Sequence, residues 1–196
     1  MLQNLIIKVM KNPSPNIDDN IRLEITNWLK NYVIGLNLCP FAAHPFQKNL
    51  VEISATNSSD KKEIFDLFIE SCRLLINSDS NSLSTILLAF PKGLNDFHNY
   101  LDYLHTFNEM LNETELDEHI QLASFHPEYQ FDGTDKNDIS NYTNRAPYPI
   151  IQLLRVAEVE RAIENYGDTN KIYEENIKKM KTLKPSELEA MTRKNN

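Results

Sequence analysis

Three short apolar segments, separated by amphipathic segments, constrain the fold of this chain more than any other feature. "STILLAF", residues 84–90, is a continuous apolar run between Ser and Pro, which is typical of a strand covered on both faces. "NLVEIS", residues 49–54, alternates apolar and polar side chains, and "HIQLASF", residues 119–125, is the third predicted strand. Strands that alternate with helices favour a parallel or mixed sheet with right-handed crossovers.

Apolar residues at three- and four-residue steps predict the helices. These helices cover residues 17–34, 58–76, 94–111 and a segment that begins at Pro149, with polar helices from Thr169 to the end. Ser14 or Asn16 is the expected cap of the first helix, and Gly35 its expected end. Asp60 and Glu63 have the spacing of a capping box at the start of the second helix.

The order of elements predicts an α/β (or α+β) fold with a small, mostly parallel or mixed sheet of three to four strands flanked by helices. A fourth strand comes either from "NLIIKV", residues 4–9, or from "PIIQLL", residues 149–154, and both remain open. A ferredoxin-like sandwich is the alternative fold. We predict a single α/β domain over residues 1–168 and a polar helical extension over residues 169–196.

Charge and cysteine content exclude several classes of partner. The formal net charge of −8 argues against nucleic acid, because phosphate binding normally needs a basic surface. No apolar run is long enough to span a bilayer, and the first residues do not resemble a signal peptide. The two cysteines, Cys39 and Cys72, fit reduced thiols, so we predict a cytoplasmic protein. We further predict a small-molecule ligand, and neither a membrane nor nucleic acid as partner. The oligomeric state does not follow.

The long polar and aromatic segment over residues 125–149 is the first candidate site, because open α/β sheets bind ligands beyond the carboxyl ends of their strands. His126 is predicted to be an acid/base and Arg145 an anion clamp. The alternatives are a structural histidine that holds a loop carbonyl and an ion pair between Arg145 and a loop aspartate. Further candidates share polar or aromatic groups suited to ligand binding: Asn144, Tyr129, Tyr148 and Asp132.

The second candidate is "GLNLCPFAAHPF", residues 35–46. Cys39 is a possible nucleophile if His44 or His126 takes its proton, a metal ligand beside them, or a buried thiol that packs a turn. No second Cys lies within three positions, which excludes a local dithiol mechanism. The four glycines form no phosphate-binding motif, so dinucleotide and P-loop nucleotide binding are disfavoured.

Three blocks of the chain resemble a known family. "GLNLCPFA", "SFHPEYQF" and "NRAPYPIIQLLR" with "VERAI" resemble, in order, signature blocks of the bacterial family DUF1415, a domain of unknown function. The resemblance covers about residues 20 to 165. Ala146, Gln152 and Val156 stand where the family pattern has Ser, His and Glu. The positions that match the pattern are Cys39, His126, Asn144 and Arg145.

The family name implies no activity, so the function is predicted from the candidate sites. The first hypothesis is an enzyme, a hydrolase or transferase, that acts on a small anionic metabolite between residues 35–46 and 125–149. Cys39, His126 and Arg145 would then be its catalytic residues. The alternatives are a non-catalytic small-ligand-binding or regulatory module, and a metal-binding protein that uses Cys39, His44 and His126. The sequence does not indicate a cofactor.

Overall fold

One mixed sheet forms the centre of the protein in the computed structural model, which describes residues 19–168 and 170–192. The four strands are β1 (Val51–Ala55), β2 (Thr85–Ala89), β3 (Ile120–Phe125) and β4 (Ile150–Arg155). They lie in the order β1-β2-β4-β3. β1 is parallel to β2, whereas β4 is antiparallel to both β2 and β3. The predicted mixed sheet is therefore confirmed.

The predicted helix from Pro149 is wrong, because Ile150–Arg155 form strand β4 and the next helix begins only at Val156. "PIIQLL" is a short apolar run, and periodicity alone cannot distinguish a buried strand from a buried helix at this length. Its residues alternate between two cores, as a central strand requires. The competing candidate for the fourth strand, residues 4–9, lies outside the described residues.

Seven helices surround the sheet in the described part of the chain. They are α1 (Asp19–Trp28), which continues as a π-helical stretch (Leu29–Ile34), α2 (Ala43–Gln47), α3 (Lys61–Asn77), α4 (Phe97–Glu113), α5 (Val156–Tyr166), α6 (Asn170–Met180) and α7 (Pro185–Ala190). Short 3-10 turns cover Leu116–Glu118 and Ile139–Asn144. The Asp60 carboxylate caps α3 by accepting from the Glu63 N–H at 3.2 Å, whereas the Asp60 N–H donates to the Ser58 hydroxyl oxygen at 3.0 Å, so only one half of the predicted capping box is found. The proposed caps Ser14 and Asn16 lie outside the described residues.

The sheet separates two apolar cores. On one face α3 and α4 pack together, and the rings of Phe68 and Phe107 stack at a centroid distance of 4.0 Å. On the other face α1 and the π-helical stretch bring Ile25 and Trp28 against Leu87 of β2. Helices on both faces distinguish this α/β arrangement from a ferredoxin-like sandwich, in which the helices cover one face.

The two C-terminal helices pack against the segment that follows the π-helical stretch. Met180, Leu188 and Met191 are buried in one cluster with Leu38. The Asn176 side-chain amide donates to the Leu38 carbonyl at 2.8 Å. The predicted helical extension is thus attached to residues near Cys39, and its boundary at residue 168 stays a prediction.

Within the described ranges, no helix is long and apolar enough to cross a membrane.

Candidate functional site

A cavity of about 930 Å³ lies on the α1 face of the sheet, and we call it the sheet-face cavity. Its floor is formed by side chains from three strands: Thr85, Ala123, Gln152 and Leu154. The strand register places Thr85 opposite Leu154, and Ala123 opposite Gln152. These four residues share a face because side chains two positions apart on a strand point the same way. The strand pairing therefore assembles the floor from residues that are far apart in sequence.

One end of the sheet-face cavity is apolar. Trp28, Leu29 and Val33 line it from α1 and the π-helical stretch, and Phe125 lines it from the end of β3. The Trp28 and Phe125 rings meet edge to face, with centroids 5.2 Å apart. The Trp28 indole N–H donates to the Arg145 carbonyl at 3.1 Å, which fixes the ring. This end presents rigid aromatic surface to a ligand.

The opposite end carries the charged groups. Arg155, Glu158 and Arg161 line it from the end of β4 and from α5. The Arg155 guanidinium is held by the backbone carbonyls of Leu75, Ser78 and Leu83. The Ser84 hydroxyl donates to the Glu158 carboxylate. The cavity is consequently amphipathic along its length.

Cys39 lines the sheet-face cavity, as does His44 at an exposed position. Burial raises the pKa of the Cys39 thiol, and hydrogen bonds from the Phe41 and Ala42 backbone N–H groups oppose this shift without cancelling it. A raised pKa leaves the thiol protonated near neutral pH, whereas a nucleophilic cysteine needs a thiolate. The structure thus places Cys39 at the site without activating it.

His126 is fully buried, with 0% of its surface exposed, and it is not among the described residues that line the sheet-face cavity. Its ring packs against Phe97 and Tyr100 of α4, on the other side of the sheet. Nδ1 accepts from the Glu128 N–H at 3.0 Å, so Nε2 carries the proton and donates to the Leu94 carbonyl at 3.0 Å. This is the arrangement of the structural alternative, in which the histidine holds a loop carbonyl.

Arg145 is also absent from the lining of the described cavity and is only 9% exposed. Its Nε donates to the Tyr129 carbonyl at 3.3 Å and its Nη2 to the Lys136 carbonyl at 2.8 Å. The guanidinium lies over the Tyr142 ring, 4.2 Å from the centroid. Arg145 therefore ties together the loop between β3 and β4. Of the ion pairs found among the described residues, none joins it to an aspartate.

The remaining predicted ligand-binding residues are divided between the cavity and the loop. Asn144 lines the cavity, and its amide donates to the Ser124 carbonyl at 3.2 Å. The Tyr148 hydroxyl donates to the buried Glu24 carboxylate. The Tyr129 ring packs against Phe97 and Phe131, and the side chain of Asp132 is exposed. The structure therefore brings Asn144 to the same cavity as Cys39 but does not bring the other three there.

The metal hypothesis is not supported by the placement of its ligands. Among the residues described by the structure, no three His, Cys, Asp or Glu side chains lie together in a way that could hold a metal ion. Cys39 and His44 share the cavity, whereas both His126 ring nitrogens are engaged on the other side of the sheet.

Most of the polar groups in the sheet-face cavity are not among the site residues predicted from the sequence. Ser84 and Thr85 lie in a segment predicted to be a buried strand, and Glu158 lies in a segment predicted to be helical. Gln152 had one available signal, because it is a polar residue in the middle of the apolar run "PIIQLL". Ser84 and Glu158 are 74 positions apart, so no local motif predicts their contact.

Comparisons with known proteins give one family and no characterised relative. No curated protein and no solved structure matches the chain. The model of the family described as a protein of unknown function, DUF1415, matches residues 20–190. This match covers all four strands and extends through the C-terminal helices that pack on Leu38. The chain therefore belongs to the DUF1415 family.

Proposed function

We propose that this chain binds a small organic anion with an apolar body in the sheet-face cavity. The observation that carries the proposal is the cavity itself, which combines an aromatic end with a charged end. Ligand sites in proteins are mostly apolar hollows of roughly 300–1,000 Å³ with a few well-placed polar groups. At about 930 Å³ the sheet-face cavity has room for a metabolite-sized molecule.

The charge of the lining supports an anion. The formally charged side chains of the described lining are two arginines, Arg155 and Arg161, and one glutamate, Glu158. The lining thus has an excess of positive charge, although the chain as a whole has a net charge of −8. A concave site lined by one sign of charge concentrates ligands of the opposite sign. An anionic group would therefore lie at the α5 end, with the apolar body against Trp28 and Phe125.

Binding or regulation fits this site better than the hydrolase or transferase hypothesis. That hypothesis needs Cys39, His126 and Arg145 around one ligand, and only Cys39 lines the cavity. The burial that raises the Cys39 pKa further disfavours a nucleophilic thiol. The ligand class predicted from the sequence, a small anion, is retained.

The proposal is tested with two dyes that share an apolar body. Anilinonaphthalene sulfonate (ANS) is anionic, and N-phenylnaphthylamine is the same molecule without the sulfonate. The purified protein should bind ANS saturably, with a fluorescence increase, and should bind the neutral dye more weakly. Arg161→Gln should reduce the ratio of ANS affinity to neutral-dye affinity about two- to fivefold, as expected for removing one exposed charge. Equal affinity for both dyes in the wild type would contradict the anion preference.

A matched pair of substitutions locates the bound dye. Ala162 lines the cavity from α5, whereas Ala157 on the same helix is exposed and does not line it. Ala162→Trp should fill part of the cavity and weaken ANS binding about tenfold or more, a loss of roughly 1.4 kcal/mol in binding free energy. Ala157→Trp should bind ANS like the wild type. If ANS shows no saturable binding, or if both variants bind alike while melting cooperatively, the dye site is elsewhere and the proposal is wrong.

A further inference from the structure

Gln152 is the most unusual residue on the floor of the sheet-face cavity. It lies in the centre of β4, and its partners across the sheet are Leu87 of β2 and Ala123 of β3, which are both apolar. A polar side chain between two apolar partners costs free energy unless its hydrogen bonds are made. Its bonding pattern therefore indicates what the cavity can recognise.

A chain of hydrogen bonds fixes the orientation of the Gln152 amide. The Thr85 hydroxyl donates its single proton to the Leu153 carbonyl at 2.7 Å. The Thr85 oxygen can then only accept, and it does so from Gln152 Nε2 at 2.9 Å. The nitrogen of the amide is thus directed at Thr85, and the oxygen Oε1 is directed away from it.

Oε1 is left available to a ligand. Within residues 19–168 and 170–192, the hydrogen bond to Thr85 is the one found for the Gln152 side chain. In the same ranges, every fully buried side-chain N or O atom has a hydrogen-bond partner, so Oε1 is accessible from the cavity. The amide N–H donated to Thr85 also increases the negative charge on Oε1, because linked hydrogen bonds polarise one another.

We infer that Gln152 determines ligand specificity by accepting a hydrogen bond, through Oε1, from an N–H group on the apolar body of the bound anion. This inference rests on the proposed function and adds the ligand class: an organic anion whose aromatic or aliphatic body carries an N–H donor. Gln152 lies on the floor together with Leu154, which is followed by Arg155 at the charged end. The donor on the ligand would therefore lie between its apolar body and its anionic group. Thr85 is a positioning residue that holds the amide in this orientation.

The test uses indole acetate and its N-methyl derivative, which differ by one N–H donor. Isothermal titration of the full chain should give about tenfold tighter binding of indole acetate, the usual effect of leaving one acceptor without a partner. Gln152→Met, which replaces the amide by an apolar chain of similar length, should bring the affinity ratio close to one. Thr85→Val should reduce the ratio, and Thr85→Ser, which keeps the hydroxyl, should restore it.

Gln121→Met is the matched control, because Gln121 is an exposed residue on β3 that faces Leu154 across the sheet and does not line the cavity. The affinity ratio of this variant should equal that of the wild type. A wild-type ratio near one, or binding of neither acid, overturns the inference. If ANS still binds saturably in that case, the cavity remains an anion site and only the role of Gln152 is wrong; if ANS also fails to bind, the proposed function fails with it.

Discussion

At the scale of single residues, His126 has a structural role in two turns. The Leu94 carbonyl that His126 holds belongs to a residue with a φ of +58°, a left-handed conformation that is unfavourable for leucine. The same ring satisfies the Glu128 N–H at the start of the long loop. His126 therefore stabilises two turns that leave the same edge of the sheet, and no part of this requires proton transfer.

Replacing His126 should lower stability. In His126→Phe the ring shape is kept, but the buried Leu94 carbonyl and the Glu128 N–H lose their partner, which should reduce the free energy of unfolding by about 2–4 kcal/mol. His98→Phe, at an exposed position on α4, should change it by less than about 0.5 kcal/mol. Urea denaturation measures both. A His126→Phe protein as stable as the wild type would show that the histidine is not structural.

At the scale of elements, the π-helical stretch sets the course of the segment that carries Cys39. It ends at Gly35, whose N–H bonds to the Lys30 carbonyl at 3.0 Å. A Cβ on Gly35 would lie 2.3 Å from the Asn31 carbonyl oxygen, which is closer than atoms can approach. The predicted helix end at Gly35 is confirmed, and the physical reason is this close approach of backbone rather than a left-handed φ.

Gly35→Ala should therefore disturb the fold and the cavity together. We expect a loss of about 1–3 kcal/mol in the free energy of unfolding, as for other forced close contacts, and weaker ANS binding because Leu38 and Cys39 follow on the cavity wall. Gly133→Ala is the comparison: its φ of +71° makes alanine unfavourable by about 1–2 kcal/mol, but no atom lies near the added Cβ. If Gly35→Ala binds ANS as the wild type does, the π-helical stretch does not determine the shape of the cavity.

At the scale of the whole molecule, the C-terminal helices support the cavity from outside. Met180 is fully buried against Leu38, and the Asn176 amide, which bonds to the Leu38 carbonyl, lines the cavity. The sequence predicts a polar helical extension here, and the apolar residues of this extension form a small core with the 3-10 turn over Ile139–Asn144.

Met180→Ala should destabilise the protein by about 2–5 kcal/mol, the usual effect of truncating a buried methionine. Lys178→Ala, two positions away and exposed, should have almost no effect. Thermal unfolding of the two variants, with and without ANS, gives the comparison. Equal melting temperatures for Met180→Ala and the wild type would mean that α6 does not support the domain.

Local patterns in the sequence predicted the first three strands, the helices between them and their order along the chain. These three strands and the capped helix α3 follow from local periodicity and capping, since both depend on neighbouring residues. Cys39 and Asn144, two of the residues predicted to share a site, both line the sheet-face cavity. "PIIQLL" remained ambiguous because a short apolar run suits a strand or a helix.

Which side chains come into contact depends on the tertiary structure. Successive residues of a strand point to opposite faces, so Phe125 lines the sheet-face cavity while His126, the next residue, packs beneath the sheet against α4. The same alternation, combined with the insertion of β4 between β2 and β3, brings Thr85, Ala123 and Gln152 onto one floor. Strand order and register are set by contacts between segments that are distant in sequence. Local sequence patterns therefore do not predict strand order or register.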